Sequence, residues 1–440
     1  MKRMLLAPTL LAFALLAGLV VAASPATASP KVDTERFAIN QATLPFNALA
    51  GATAYYGVEE NGAGWRIEVP DNWNGDLVLY AHGYAGAGAT LNVQNPSLRA
   101  YFIANGYAWA ASSYQANGYV PGTGAEDTYD LLKIFRRETG LDKPERVYLY
   151  GVSMGGHVVG HMVERWPETF AGALPVCGVM GDNELFDFFQ DLYLVAETLV
   201  GNEPIVPTPA DYYTNPAAGW QVTRTLLGNP YPTNLTPLGE TFKQSVEMFS
   251  GGDRPVFDEG WVGPSGGAFA FNFGSATAGP GRENFDTVYQ FDTNLALAAD
   301  EQLFNDTIIR ITAETSDRNP QGIYTNTTSS PALTGKFRVP VLTLHTLGEL
   351  FVPFSMEQIY AQRAAEAGNA DLLVQRAIRG RSHCEFLASE LTTAFDDLVA
   401  WVEDGVKPAG DDILDPVAVA SPTFGCQFTT VDHALVPPCP

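Results

Sequence analysis

The stretch Val147–Gly156, VYLYGVSMGG, constrains this chain more than any other. Val147 to Tyr150 is a short apolar, β-rich run that enters Gly151-Val152-Ser153-Met154-Gly155 directly, and His157 to Trp166 then reads as a helix. A strand, a turn with glycine two places either side of a serine, and a helix make a nucleophile elbow. Side chains at the two glycines would clash with the strand and the helix, and the serine backbone is itself strained. That strain lifts the hydroxyl clear of the sheet, over the positive end of the helix. Gly263-Pro264-Ser265-Gly266-Gly267 fits the same pattern, but no apolar strand leads into it, proline precedes the serine, and no helix follows. Ser265 is therefore read as a loop residue.

Around the elbow, strands and helices alternate. Trp65–Val69 and Asp76–Ala81 read as strands, the second running into His82-Gly83-Tyr84. Tyr107–Ser112 is another strand, Asp127–Thr139 a helix stopped by Gly140, and Phe170–Val176 the strand after the elbow helix. Such alternation implies parallel strands joined by crossover helices, with functional groups gathered at the strands' carboxyl ends. The rhythm stops from about Gly178 to Phe337. There, helical stretches (Glu184–Val200, Thr236–Phe249) lie among Gly/Pro/Asn-rich connectors and the aromatics Tyr212, Tyr213, Trp220, Tyr231, Trp261, Phe269, Phe271 and Phe273. So long an interruption is not a loop of a compact domain. It reads as an inserted lid over the carboxyl edge of the sheet. The rhythm resumes with a strand at Val339–His345, a helix at Ser355–Ala367, a strand at Leu372–Ile378 and a final helix to about Val402. The division expected is 1–28 leader, 29–177 and 338–407 core, 178–337 lid, and 408–440 a Pro-rich tail.

Twenty-five Lys+Arg against 49 Asp+Glu leave a formal charge of -24, which argues against nucleic acid and anionic membrane surfaces as partners. Lys2 and Arg3, an apolar run from Leu5 to Ala23 and Ala26-Thr27-Ala28 form an export leader cleaved after Ala28, rather than a membrane anchor. A secreted protein without a stable membrane anchor is expected. Its four cysteines, Cys177, Cys384, Cys426 and Cys439, suggest two disulfides, with three pairings open. The near pair Cys426–Cys439 would staple the tail and leave Cys177–Cys384. No Cys/His pattern suggests a metal site.

A serine hydroxyl near neutral pH needs a base in contact, and the base needs an orienting acid. Of the six histidines, His383 alone occupies a loop after the last strand and is assigned as base. His82 would shape its loop, and His157 and His161 lie on the elbow helix without a third metal ligand. The loop after His345 has one carboxylate, Glu349, which is assigned as the acid, with Asp182 as the alternative. Backbone N–H groups of Met154 and Tyr84 are the expected oxyanion donors, and the Tyr84 side chain could line the acyl pocket.

The order Ser153…Glu349…His383, with HGY at 82–84, GVSMG at 151–155 and HTLGELFVP at 345–353, resembles the α/β-hydrolase fold superfamily over about residues 65–180 and 335–405. The resemblance implies an α/β fold: a mostly parallel sheet flanked by helices, with a large, mainly helical lid inserted after strand six. It places the nucleophile after strand five, the acid after strand seven and the histidine after strand eight. Glu349 stands where these proteins more often carry Asp. In that topology Cys177 and Cys384 both reach the carboxyl edge, where a bridge would pin the base loop; free thiols, or pairing of Cys384 with the tail, are the alternatives. The function expected is carboxylic ester hydrolysis through an acyl-enzyme. It needs no cofactor, and the substrate, small or polymeric, would carry an apolar or aryl portion. A serine peptidase of the same fold and a non-catalytic binding protein are the competing expectations.

Overall fold

The computed structural model describes residues 37–86, 88–201, 216–268, 283–294, 296–311 and 330–440. The leader expected at 1–28 lies outside them, as do Tyr212, Tyr213, Phe269, Phe271 and Phe273. Eight strands form one sheet: β1 (Ala52–Val58), β2 (Gly64–Pro70), β3 (Leu77–Ala81), β4 (Ala108–Ser112), β5 (Val147–Val152), β6 (Gly172–Val176), β7 (Val341–Thr346) and β8 (Leu373–Ile378). Their spatial order is β1-β2-β4-β3-β5-β6-β7-β8. β2 is antiparallel to both β1 and β4, and every other pairing is parallel.

The order carries a functional consequence. The chain leaves β3 for β4 on one side and returns to β5 on the other, so the connections diverge at β3/β5. A crevice opens at the carboxyl ends of such a pair. His82 and Ser153 are the residues that step off those two ends.

β3 to β8 are buried except for Val152, half-buried at the end of β5, as expected of strands covered on both faces. Side chains alternate between the two cores. Leu77, Leu79, Val147 and Leu149 join one core, with residues of the helices Pro121–Thr139 and Met154–Arg165. Val78, Tyr80, Tyr148 and Tyr150 join the other, beneath the helices Arg99–Ala104 and Ala388–Asp404.

Two elements differ from expectation. β1 lies in a stretch with little periodicity because it is an edge strand paired on one side only, with Tyr56 and Val58 still 47% and 40% exposed. The helix expected at Asp127 begins at Pro121, with proline in its first turn. Gly122 and Gly124 lie among its first residues. A Cβ on Gly124 would lie 3.0 Å from the Tyr114 ring and 3.1 Å from Val158, so that glycine is set by close packing.

Between β6 and β7 the chain makes its long excursion, with helices Glu184–Leu199, Pro216–Leu227, Pro237–Phe249, Phe257–Trp261 and Ala299–Thr307. Its aromatics pack on one another. Trp261 is buried against Phe242, Phe257 and Tyr231, and Phe249 meets Phe188 and Tyr289. The tail is irregular but anchored. Asp411 donates its N–H to Gln375 O and accepts from Ala377 N–H, both at 2.8 Å, which covers the free edge of β8.

The elbow helix is seated by glycine. A Cβ on Gly155 would lie 2.0 Å from the carbonyl oxygen of Ala81 in β3, a backbone atom that cannot swing aside. Gly155→Ala should cost about 3 kcal/mol or more, the upper end of overpacking penalties. Thermal unfolding checks this, with a lower midpoint or loss of soluble protein expected.

Candidate active site

Ser153 is the hinge between β5 and the helix Met154–Arg165, with φ 59° and ψ −122°. A non-glycine residue held there costs on the order of 1–3 kcal/mol. Its carbonyl repays part of this by accepting from Gly156 N–H at 2.8 Å and Val179 N–H at 3.2 Å. The side chain is 8% exposed at the foot of a pocket.

His383 lies in the loop after β8. Its Nε2 is 2.9 Å from Ser153 Oγ, and its Nδ1 meets Glu349 Oε2 in a short hydrogen bond. Glu349 is fully buried. Its oxygens also accept from Val352 N–H at 3.1 Å and Thr346 Oγ1 at 3.2 Å, which offsets the desolvation of the carboxylate. The alternative acid, Asp182, is engaged elsewhere. It accepts from Leu333 N–H at 2.7 Å and pairs with Arg363 at 2.6 Å. That contact fastens the start of the excursion to the helix Ser355–Glu366.

The base loop is held from three sides. Cys384, next to His383, is disulfide-bonded to Cys177 at the end of β6, with a Cα–Cα distance of 5.3 Å. The Phe351 ring stands edge-on to the imidazole at 5.1 Å. The third hold is Ser265, in the glycine-rich loop Gly263–Gly267. Its Oγ accepts the His383 N–H at 3.1 Å and lies 3.1 Å from Ser382 Oγ. Its carbonyl accepts Leu350 N–H at 3.1 Å. Ser265 thus links the acid loop to the base loop. Local sequence carries no signal for this beyond the glycine density around it, because the contact spans more than a hundred residues.

Opposite the imidazole, the loop after β3 passes against the nucleophile. A Cβ on Gly83 would lie 3.0 Å from Ser153 Cβ, so only glycine lets the following residue approach. His82 shapes this loop. Its Nδ1 is 2.7 Å from Gly83 O, its ring stacks on Tyr114 at 4.0 Å, and burial disfavours its charged form. Tyr84 and Met154 border the same pocket as Ser153, and Met154 N–H belongs to the first turn of its helix, where backbone donors lack intrahelical partners.

The pocket is narrow and opens to solvent. Tyr119 and Met154 form part of it, Leu185, Phe186 and Phe189 come from the excursion, and Phe351 from the acid loop. None of the described lining residues is charged. Tyr119 is held by a buried pair: its hydroxyl donates to His157 Nδ1 at 2.8 Å, and His157 Nε2 donates to Pro331 O at 2.6 Å. Burial disfavours the charged form of His157, and it pushes His161 down to about 4. His433 pairs with Glu390 at 2.9 Å and ties the tail to the last long helix. The second disulfide, Cys426–Cys439, closes that tail. Among the described residues, one His/Cys/acid group gathers as a metal site would, Cys177, His383 and Cys384, and its two sulfurs are bonded to each other.

The strand order, the diverging connections at β3/β5 and the serine elbow are those of the α/β-hydrolase fold. Residues 104–222, which span the elbow, match the prolyl oligopeptidase family (Peptidase_S9), a family of serine hydrolases. Among curated proteins, an o-phthalyl amidase of Xanthobacter agilis is 25% identical over 432 residues, covering 86% of this chain and 94% of its own. Feruloyl esterase B of Aspergillus oryzae aligns in structure at 15% identity and a TM-score of 0.43, covering 82% of each chain. An acylaminoacyl peptidase aligns at 10% identity and a TM-score of 0.37, covering 76% of this chain and 37% of its own.

Replacing Ser265 by Ala leaves the His383 N–H without its partner, a loss of roughly 1–3 kcal/mol. Steady-state kinetics on Ser265→Ala should show turnover lowered at nearly constant KM.

Proposed function

We propose that this protein is an exported serine hydrolase that cleaves carboxylic esters through an acyl-enzyme, with Ser153 as nucleophile, His383 as base and Glu349 as the orienting acid. The observation that carries the reading is the unbroken line Glu349–His383–Ser153 at the foot of an uncharged aromatic pocket. His383 takes the hydroxyl proton as Ser153 attacks the carbonyl carbon, and buried Glu349 stabilises the imidazolium that forms. Met154 and Tyr84 N–H groups serve the oxyanion. His383 then returns the proton to the departing alcohol, and water repeats the cycle on the acyl-enzyme.

The rings of Phe186, Phe189, Tyr119 and Phe351 suit an apolar or aryl group on the substrate. The excursion supplies Phe186 and Phe189, which supports its reading as a lid. Two disulfides support an oxidising destination, in keeping with the leader at 1–28. Amide cleavage is the second reading, because the relative that spans most of the chain is named an amidase. The two bond types use the same three residues and differ in how strongly the leaving group must be protonated.

Ser153→Ala should lower turnover on the order of a millionfold and abolish fluorophosphonate labelling. A set of p-nitrophenyl aryl and alkyl esters assayed against matching anilides separates the readings. Faster hydrolysis of the aryl esters supports the first, and dominant anilide cleavage replaces it with the second.

A further inference from the structure

Behind Glu349, on the side away from His383, lies a second histidine between two carboxylates. His345, at the end of β7, is fully buried. Its Nε2 donates to Val352 O at 2.7 Å and lies 3.3 Å from Glu349 Oε1. Its Nδ1 faces Glu357 Oε1 at 3.4 Å. Glu357 is 1% exposed, and its other oxygen accepts from Thr343 Oγ1 at 2.5 Å and Gln375 Nε2 at 2.6 Å. His345 Nδ1 and Glu357 Oε1 have no hydrogen-bond partner among the described residues, and they face each other. Were His345 neutral with its proton on Nε2, a ring lone pair would point at a carboxylate lone pair in a site closed to water. One proton between the two atoms removes both orphans.

We propose that His345 is a buried imidazolium, a positioning residue that neutralises Glu357 and holds the Glu349 carboxylate in line for His383. The proton belongs on the imidazole because Glu357 already accepts two hydrogen bonds that favour its charged form, while Glu349 adds a second negative neighbour. Burial alone would push His345 down, yet Glu357 and Glu349 outweigh it and hold the imidazole above its ordinary value. The other groups around the ring are neutral: Thr343, Gln375 and the Phe354 ring. Arg254 is spent on the Leu347 carbonyl at 2.8 Å, and burial pushes the Tyr360 hydroxyl, which interacts with Glu357, well above its ordinary value.

The consequence for catalysis rests on the Ser153–His383–Glu349 reading. A cation behind Glu349 opposes a second cation in the same buried network. Its loss should move the acid limb of the reaction upward. A residue that only filled space would change the plateau rate and leave the limb in place.

The test uses the intact protein and a fluorophosphonate probe, whose reaction with Ser153 needs no knowledge of the natural substrate. His345→Gln keeps a donor and removes the charge. Its labelling rate should fall about tenfold on the acid side, with the limb displaced upward by about one pH unit. An unmoved limb overturns the inference while leaving the serine-hydrolase reading intact. Should the variant not fold, nitrogen-15 spectra of histidine-labelled wild-type protein decide. Both ring nitrogens of His345 protonated at pH 7 support the assignment, and a neutral ring overturns it. Wild-type protein that Ser153→Ala shows to be unlabelled at that serine would instead sink the hydrolase reading, independently of the spectra.

Discussion

The constraint on which the rest of the structure depends is the close passage of the elbow helix over β3. Gly155 lies so near the Ala81 carbonyl that no side chain fits between them. This seats the first turn of the helix directly above the sheet crevice. Ser153 has to cross from strand to helix in a single residue, and its left-handed φ is the result. Gly83, pressed against Ser153 from the next strand, brings a second stretch of backbone to the hydroxyl. Ser153, the helix N-terminus and the neighbouring loop thus share one rigid frame, and the remaining groups are brought to it.

Glu349 and His383 come from loops about 196 and 230 residues further along the chain than Ser153, and loops need tethering to act as a frame. The disulfide to β6, the edge of Phe351 and the Ser265 clamp supply it for His383. Glu349 is tethered by its own burial: every oxygen it takes out of water is met by a donor or by the His345 side of the network. Such an arrangement is costly to leave half-satisfied. The carboxylates, histidines and hydroxyls behind the nucleophile therefore behave as one unit.

The excursion between β6 and β7 belongs to that unit. It contributes Phe186 and Phe189 to the pocket wall and Ser265 to the base loop, so cavity shape and base geometry are coupled through one piece of chain. Its aromatics divide accordingly. Trp261, Phe242 and Phe249 are its own core, and a smaller set faces the nucleophile.

Local sequence determined the parallel-sheet rhythm and the elbow and singled out Ser153, His383 and Glu349, because each rests on patterns a few residues long: apolar runs, glycine spacing, a lone carboxylate in a loop. β1 and the first turns of the helix at Pro121 were not legible, since an edge strand is half-exposed and Gly124 answers to Tyr114 and Val158 rather than to its neighbours in the chain. Only the tertiary structure decided that Asp182 is claimed by Arg363, that Ser265 grips the base loop, and that Glu357 stands behind His345. The physical reason is the same in each case. Hydrogen bonds and buried charges are settled by whichever groups meet in space, and here those groups are separated by up to about 180 positions of chain.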